Sequence, residues 1–211
     1  ATRRTVGWAF RMFIAIMDGL GVMSYTIDGV EHIEKDQNQL IIANHPTLID
    51  VIFLVSLFPL ADCVVKEAVA KNPFMHAVVA SAKYIASDDP VKLLETCVGR
   101  LKAGASLVLF PEGTRTVPGR PLKFKAGAAY IATNSGVDIL PVSIQCSHPR
   151  LLAKHQPWYL VPVDKPLFSL KIHPPIALKS MVPEDLPMRQ ATRVLNAQLV
   201  DFFTKAIPPV G

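Results

Sequence analysis

The chain has 211 residues, 50% of them hydrophobic and 18% charged, with a formal net charge of +5. That length supports one well-formed core and is short for two domains. The low charged share points to a large core or to apolar surface that meets lipid or a partner, and the basic balance favours an anionic membrane surface. Dense Lys/Arg clusters interleaved with aromatics are absent, which argues against nucleic acid as a partner.

The first 25 residues open on an apolar stretch from Trp8 to Met23, interrupted by Arg11 and Asp18. It is too short and too charged for a membrane span, and no small-residue cleavage site follows it. On a helix, Arg4, Arg11 and Asp18 form one narrow polar stripe, while Trp8, Phe10, Met12, Phe13, Ile14, Ile16 and Met17 cover the rest. Such a helix lies in a membrane interface or on the core.

Strand and helix signals then alternate. LIIA (40–43) reads as a short buried strand, 48–57 as a helix, and DCVV (62–65) as a second strand. A helix is expected over 74–81 and a short strand at Tyr84-Ile85-Ala86. Val91, Leu94, Val98 and Leu101 recur at helical spacing over 91–103, and Gly104 stops that helix. SLVLF (106–110) is a buried strand, 126–135 a helix closed by Gly136, and ILPVSIQ (139–145) a strand. FSLKIH (168–173) alternates like a strand, and 188–206 reads as a C-terminal helix. The alternation predicts an α/β fold, a mostly parallel central sheet flanked by helices. Ligands in such sheets bind beyond the carboxyl ends of the strands. The expected organisation is an interfacial helix over 1–25 followed by one domain over 26–211.

Cys63, Cys97 and Cys146 are widely spaced in apolar surroundings and read as small buried residues of a reducing compartment. No CxxC or HExxH pattern is present, so no metal site is expected.

Two polar blocks interrupt this apolar pattern at strand ends. Asn44-His45-Pro46-Thr47 follows the LIIA strand, and Asp50 lies five residues after His45. Pro46 keeps His45 extended. Thr47-x-x-Asp50 has the spacing of a capping box, which accounts for Asp50 locally but not for His45. The same turn lets Asp50 reach one imidazole nitrogen, fixing its tautomer and stabilising the imidazolium, as in a general-base dyad. No matching nucleophilic Ser or Cys motif exists, so the nucleophile is expected from the substrate. The second block, Phe110-Pro111-Glu112-Gly113-Thr114-Arg115, ends the SLVLF strand. Glycine permits close approach of backbone to a ligand. Arg115 offers a planar fork of donors, and Lys125 opens the next helix. Together they form an anion cradle.

The pair NHPTLID and FPEGTRT, in this order, closely resembles the glycerolipid acyltransferase family, which includes the 1-acylglycerol-3-phosphate acyltransferases. Lys66, Asn72-Pro73-Phe74, Phe124-Lys125-x-Gly127 and Ile139-Leu140-Pro141-Val142 also fit its pattern. The resemblance covers about residues 28 to 145. It implies acyl transfer from a coenzyme A or acyl-carrier-protein thioester to the hydroxyl of a lysolipid, with no cofactor beyond that co-substrate. It further implies His45 as general base and Asp50 as its orienting carboxylate. Glu112, Gly113, Thr114, Arg115 and Lys125 would hold the acceptor. Such an enzyme would work on membrane lipid at the cytoplasmic face of a bacterial inner membrane. One block departs: where the family usually carries an Arg for the acceptor phosphate, this chain reads Ser87-Asp88-Asp89. That leaves a divergent, specialised lipid open as the acceptor. The same dyad acting on water would make a thioesterase or lipid hydrolase, against which the anion cradle argues.

Overall fold

The computed structural model describes residues 2–34, 37–65, 82, 84–117, 119–148, 151, 162, 164–183 and 185–207. Lys66, the Asn72-Pro73-Phe74 segment and the helix expected over 74–81 lie outside the described residues. The described elements are helix α1 (Thr2–Gly19), strand β1 (Ser24–Asp28), strand β2 (Leu40–Ala43) and helix α2 (Asp50–Leu57). Strands β3 (Asp62–Val65) and β4 (Ile85–Ala86) precede helix α3 (Pro90–Lys102), strand β5 (Leu107–Leu109) and helix α4 (Gly127–Ser135). Strands β6 (Ile139–Cys146) and β7 (Leu167–Ile172), a short helix α5 (Leu178–Met181) and helix α6 (Met188–Ala206) follow, and a 3-10 turn (Val30–His32) lies between β1 and β2.

The strands form one sheet in the order β1-β7-β6-β2-β5-β3-β4. β6, β2, β5, β3 and β4 run parallel, as the sequence pattern predicts. β7 is antiparallel to β6, and β1 pairs parallel with β7, so these two strands run against the rest. β1 has no counterpart in the sequence reading. SYTID alternates polar and apolar residues, with Tyr25 and Ile27 packed on the core, but it is only five residues long and half-buried, so its signal is weak.

Period-two packing divides the core into two layers. On β2, Leu40 and Ile42 face one side and Ile41 and Ala43 the other, and all four are fully buried. Leu107 and Leu109 join the first side and Val108 the second. The first side is covered by α3, α4 and α6, with Leu195, Leu199 and Phe203 of α6 buried at helical spacing. The second is covered by α2 and by α1 through Ile14.

α3 begins at Asp89, whose Oδ1 accepts from the N–H groups of Val91 (2.9 Å) and Lys92 (3.2 Å), with Pro90 in the first turn. α4 ends at Gly136, left-handed at φ 73°.

α1 is both a core helix and an exposed apolar surface. Gly7 and Ile14 are buried, and a Cβ on Gly7 would stand 2.5 Å from Pro59 Cβ. Arg3 Nη2 donates to Asp62 Oδ1 at 2.5 Å, and Arg11 Nη2 to Ser56 O at 3.1 Å. Trp8, Met12, Phe13 and Ile16 remain exposed on the opposite side. Asp62, fully buried at the start of β3, also accepts from Arg100 Nε at 2.7 Å and Arg100 Nη2 at 3.1 Å. One carboxylate thus ties α1 and α3 to the sheet. The three cysteines are buried and free. Burial pushes the Cys63 thiol up to about 12 and those of Cys97 and Cys146 up to about 11.

Candidate active site

The site grows from the register of two neighbouring strands. β2 and β5 pair Leu40 with Leu107, Ile41 with Val108 and Ile42 with Leu109. Continued past the strand ends, that register sets His45 opposite Glu112. The contact forms: His45 N–H donates to Glu112 Oε1 at 3.0 Å. Both polar blocks therefore leave the sheet side by side at its carboxyl edge.

Asn44, 2% exposed, anchors the first block. Its Nδ2 donates to Ile144 O and its Oδ1 accepts from Ile144 N–H, both at 2.7 Å. The side-chain amide thus imitates one more peptide unit of the β2–β6 ladder. His45 follows, its side chain 15% exposed, with Nδ1 2.9 Å from Asp50 Oδ2. Asp50 is fully buried. It also takes the Thr47 N–H on Oδ2 (2.7 Å) and the Thr47 hydroxyl on Oδ1 (2.6 Å). Burial raises the Asp50 pKa, while the bonds from His45 and Thr47 favour its carboxylate. The imidazole stacks on Phe110, ring centroids 4.2 Å apart and planes inclined by 26°.

The capping box expected at Thr47 is only half formed. Asp50 does reach back to the Thr47 N–H, but the Thr47 hydroxyl donates to the Asp50 carboxylate rather than accepting from its N–H. The helix accordingly starts at Asp50, two residues later than the sequence pattern predicts, with Ile49 as its unaided cap. The turn is shaped around the carboxylate.

The second block is a tight turn in which Gly113 N–H donates to Phe110 O at 3.0 Å. Gly113 is left-handed at φ 64°, and a Cβ there would stand 2.9 Å from both Cε and Nζ of Lys125. Glycine is therefore required twice, for its conformation and to let the Lys125 side chain lie across it. Lys125 N–H donates to Pro111 O at 2.8 Å, fixing the head of the loop before α4 to the same turn. Thr114 and Arg115 are half-buried beside it.

Glu112, 9% exposed, points toward the first block. Its Oε1 accepts from His45 N–H and from the Thr116 hydroxyl (2.7 Å), and Thr116 N–H donates to His45 O (2.7 Å). Burial pushes the Glu112 carboxyl up, against the pull of these donors. Thr116 and the Phe110 ring are contacts that sequence reasoning missed. Phe110 opens the FPEGTR run and Thr116 follows it, but nothing in the run tells which way either side chain turns.

Ser87-Asp88-Asp89 has a local account. Asp89 caps α3, and its N–H donates to Ser87 Oγ at 3.2 Å. Beside them Ser87, Tyr84, Lys92, Thr96 and Arg100 line a cavity of about 350 Å³, so cations stand near this segment even without the Arg.

An imidazole–carboxylate pair and a Gly-Lys-Arg loop thus stand together at adjacent strand ends of an α/β sheet. A family model described as Acyltransferase matches residues 24–145, and the chain belongs to that family. The 1-acyl-sn-glycerol-3-phosphate acyltransferase of Pseudomonas aeruginosa is 31% identical over 125 residues, 56% of this chain and 48% of that protein. A chloroplastic enzyme of the same name from Arabidopsis thaliana is 31% identical over 124 residues, 56% of this chain and 35% of that protein. The chain spans about half the length, or less, of these curated relatives. The crystal structure of PlsC, the 1-acyl-sn-glycerophosphate acyltransferase from Thermotoga maritima, superposes with a TM-score of 0.70 and 26% identity. That match covers 96% of this chain and 82% of the other.

Proposed function

We propose that the protein transfers a fatty acyl group from a coenzyme A or acyl-carrier-protein thioester to the hydroxyl of a lysolipid of the 1-acylglycerol-3-phosphate kind. The observation that carries this is the 2.9 Å contact between His45 Nδ1 and the buried Asp50 carboxylate, beside a basic turn. Asp50 holds the tautomer with the proton on Nδ1, which directs Nε2 to the substrate. Nε2 takes the acceptor proton as its oxygen attacks the thioester carbonyl. Asp50 stabilises the imidazolium so formed. The tetrahedral intermediate then collapses to the ester, expelling the thiolate, which recovers the proton from Nε2. Positioning of the hydroxyl supplies much of the rate. Gly113, Thr114, Arg115 and Lys125 supply it by holding the acceptor, and the two cations bind its phosphate.

The reaction takes place at a membrane surface. No helix among the described residues is long and apolar enough to cross a bilayer. The exposed face of α1, with Trp8 61% and Ile16 53% exposed, supports contact with lipid in the plane of the interface. Changing Trp8 and Ile16 together to Asp weakens binding to anionic vesicles and leaves the fold intact. Unchanged binding would remove α1 as the lipid contact.

The chemistry is tested by incubating purified protein with long-chain acyl-CoA or acyl-carrier protein, with and without a panel of lysolipids. Products are read by mass spectrometry. The expected product is the acylated acceptor. Free fatty acid formed at the same rate without acceptor would make the protein a thioesterase.

A further inference from the structure

We propose that Glu112 and Thr116 are positioning residues that clamp the main chain of His45, and that Glu112 does not touch the acceptor. The inference rests on the acyl-transfer reading and revises the acceptor role that the family resemblance implies for Glu112. Three hydrogen bonds carry it. Glu112 Oε1 receives both the His45 N–H, at 3.0 Å, and the Thr116 hydroxyl, at 2.7 Å. The Thr116 N–H closes the ring on His45 O at 2.7 Å. The N–H and the C=O of the residue that bears the base are thus both held by the second loop.

The arrangement follows from the sheet. The β2–β5 register brings Glu112 level with His45, and β5 ends at Leu109, so neither residue has a ladder partner at that height. His45 N–H would otherwise be an unpaired donor at a strand end, because the following residue is Pro46 and the chain turns away. A carboxylate fills that place more strongly than a carbonyl. Meanwhile Asp50 holds the imidazole of the same residue from the other side, at Nδ1. His45 is therefore held at three points: N–H, C=O and Nδ1. The clamp also sets the distance between the base and the turn that carries Gly113, Thr114 and Arg115. Base and acceptor loop move as one unit.

The test compares Glu112→Ala, Glu112→Gln and Thr116→Val. Steady-state kinetics with a lysolipid acceptor are read beside hydrogen exchange at the His45 amide. Glu112→Ala is expected to lower kcat by about 10- to 100-fold, with the acceptor KM within about twofold, and to speed exchange at the His45 amide. Glu112→Gln keeps an oxygen to accept from the His45 N–H and stays within about fivefold of the parent kcat. Thr116→Val falls between the two. A raised acceptor KM at unchanged kcat in Glu112→Ala or Glu112→Gln would return Glu112 to the acceptor site and overturn the proposal. Unchanged exchange at the His45 amide in Glu112→Ala, or in Thr116→Val should the alanine variant not fold, would also overturn it. The exchange measurement needs no substrate, so it judges the clamp even if the parent protein proves to transfer no acyl group, an outcome that would refute the functional reading alone.

Discussion

Replacing Asp50 by Asn separates the helix-start role of this residue from its role toward His45. The carboxylate takes three hydrogen bonds, two from Thr47 and one from His45 Nδ1. An Asn oxygen in the Oδ2 position still accepts from the Thr47 N–H and from Nδ1. The amide nitrogen meets a Thr47 hydroxyl that can turn to accept. Folding therefore changes little. What disappears is the negative charge beside an imidazolium. With Oδ2 2.9 Å from Nδ1, the two charge centres lie about 4 Å apart, worth about 4 kcal/mol at an effective dielectric of 20. At 1.36 kcal/mol per decade this is a loss of about 10³-fold in kcat. The assay is acceptor-dependent ester formation, run beside thermal melting. Because the two residues act as a unit, Asp50→Asn in a His45→Ala background costs almost nothing further. An Asp50→Asn variant within tenfold of the parent would refute the role of the charge. A fall in Tm that tracks the loss of activity would assign Asp50 to the turn alone.

Asp62→Ala leaves Arg3 and Arg100 without their shared partner. Since the Arg100 side chain is 46% exposed and can rehydrate, the cost sits at the low end for a broken buried pair, about 3 kcal/mol. Tm should drop by about 6–12 °C in calorimetry, and a shift under about 2 °C would show that the network adds nothing. Gly113→Ala both strains a left-handed position and displaces Lys125. It should raise the acceptor KM by about tenfold with a smaller effect on kcat, the opposite split from Glu112→Ala, and an unchanged KM would remove Lys125 from the acceptor site. The raised thiol pKa values of Cys63, Cys97 and Cys146 keep all three protonated at pH 8. Native protein should therefore resist alkylation that the unfolded chain accepts at all three positions. Above about pH 9 the unfolded chain loses thiol protons that the folded chain retains, so these groups make stability fall as pH rises. Rapid native-state labelling would contradict the burial.

The strands at the middle of the sheet were plain in the sequence because burial on both faces leaves an unbroken apolar run between polar stops. LIIA and DCVV carry β2 and β3 at the bounds read from the pattern, and the 3.6-residue spacing of Leu195 and Leu199 marks α6. Strand direction has no such mark. FSLKIH alternates equally well in a parallel or an antiparallel pair, and only the structure turns β7 against β6. β1 alternates too, with Tyr25 and Ile27 on the core, but five half-buried residues soon after the first helix make a weak signal.

At the site, the motif spacing brought out His45, Asp50 and the loop from Glu112 to Arg115. The direction of Glu112 was hidden, because it depends on the register between two strands far apart in sequence. The acids at 88–89 looked anomalous only against a family pattern. Asp89-Pro90 before an apolar periodic run is also a helix start, and the structure uses Asp89 that way. Arg4, Arg11 and Asp18 suggested one polar stripe on α1, yet Arg3, outside that stripe, makes the tightest contact with the body of the protein.

In the proposed reaction His45 takes the proton from the acceptor hydroxyl. Its most direct test is the rate of acylated-lysolipid formation by His45→Ala, measured by mass spectrometry with saturating thioester and acceptor, on protein shown by melting to be folded. The expected result is a loss of about 10³-fold, with thioester and acceptor still bound. Ester formation within tenfold of the parent would contradict it.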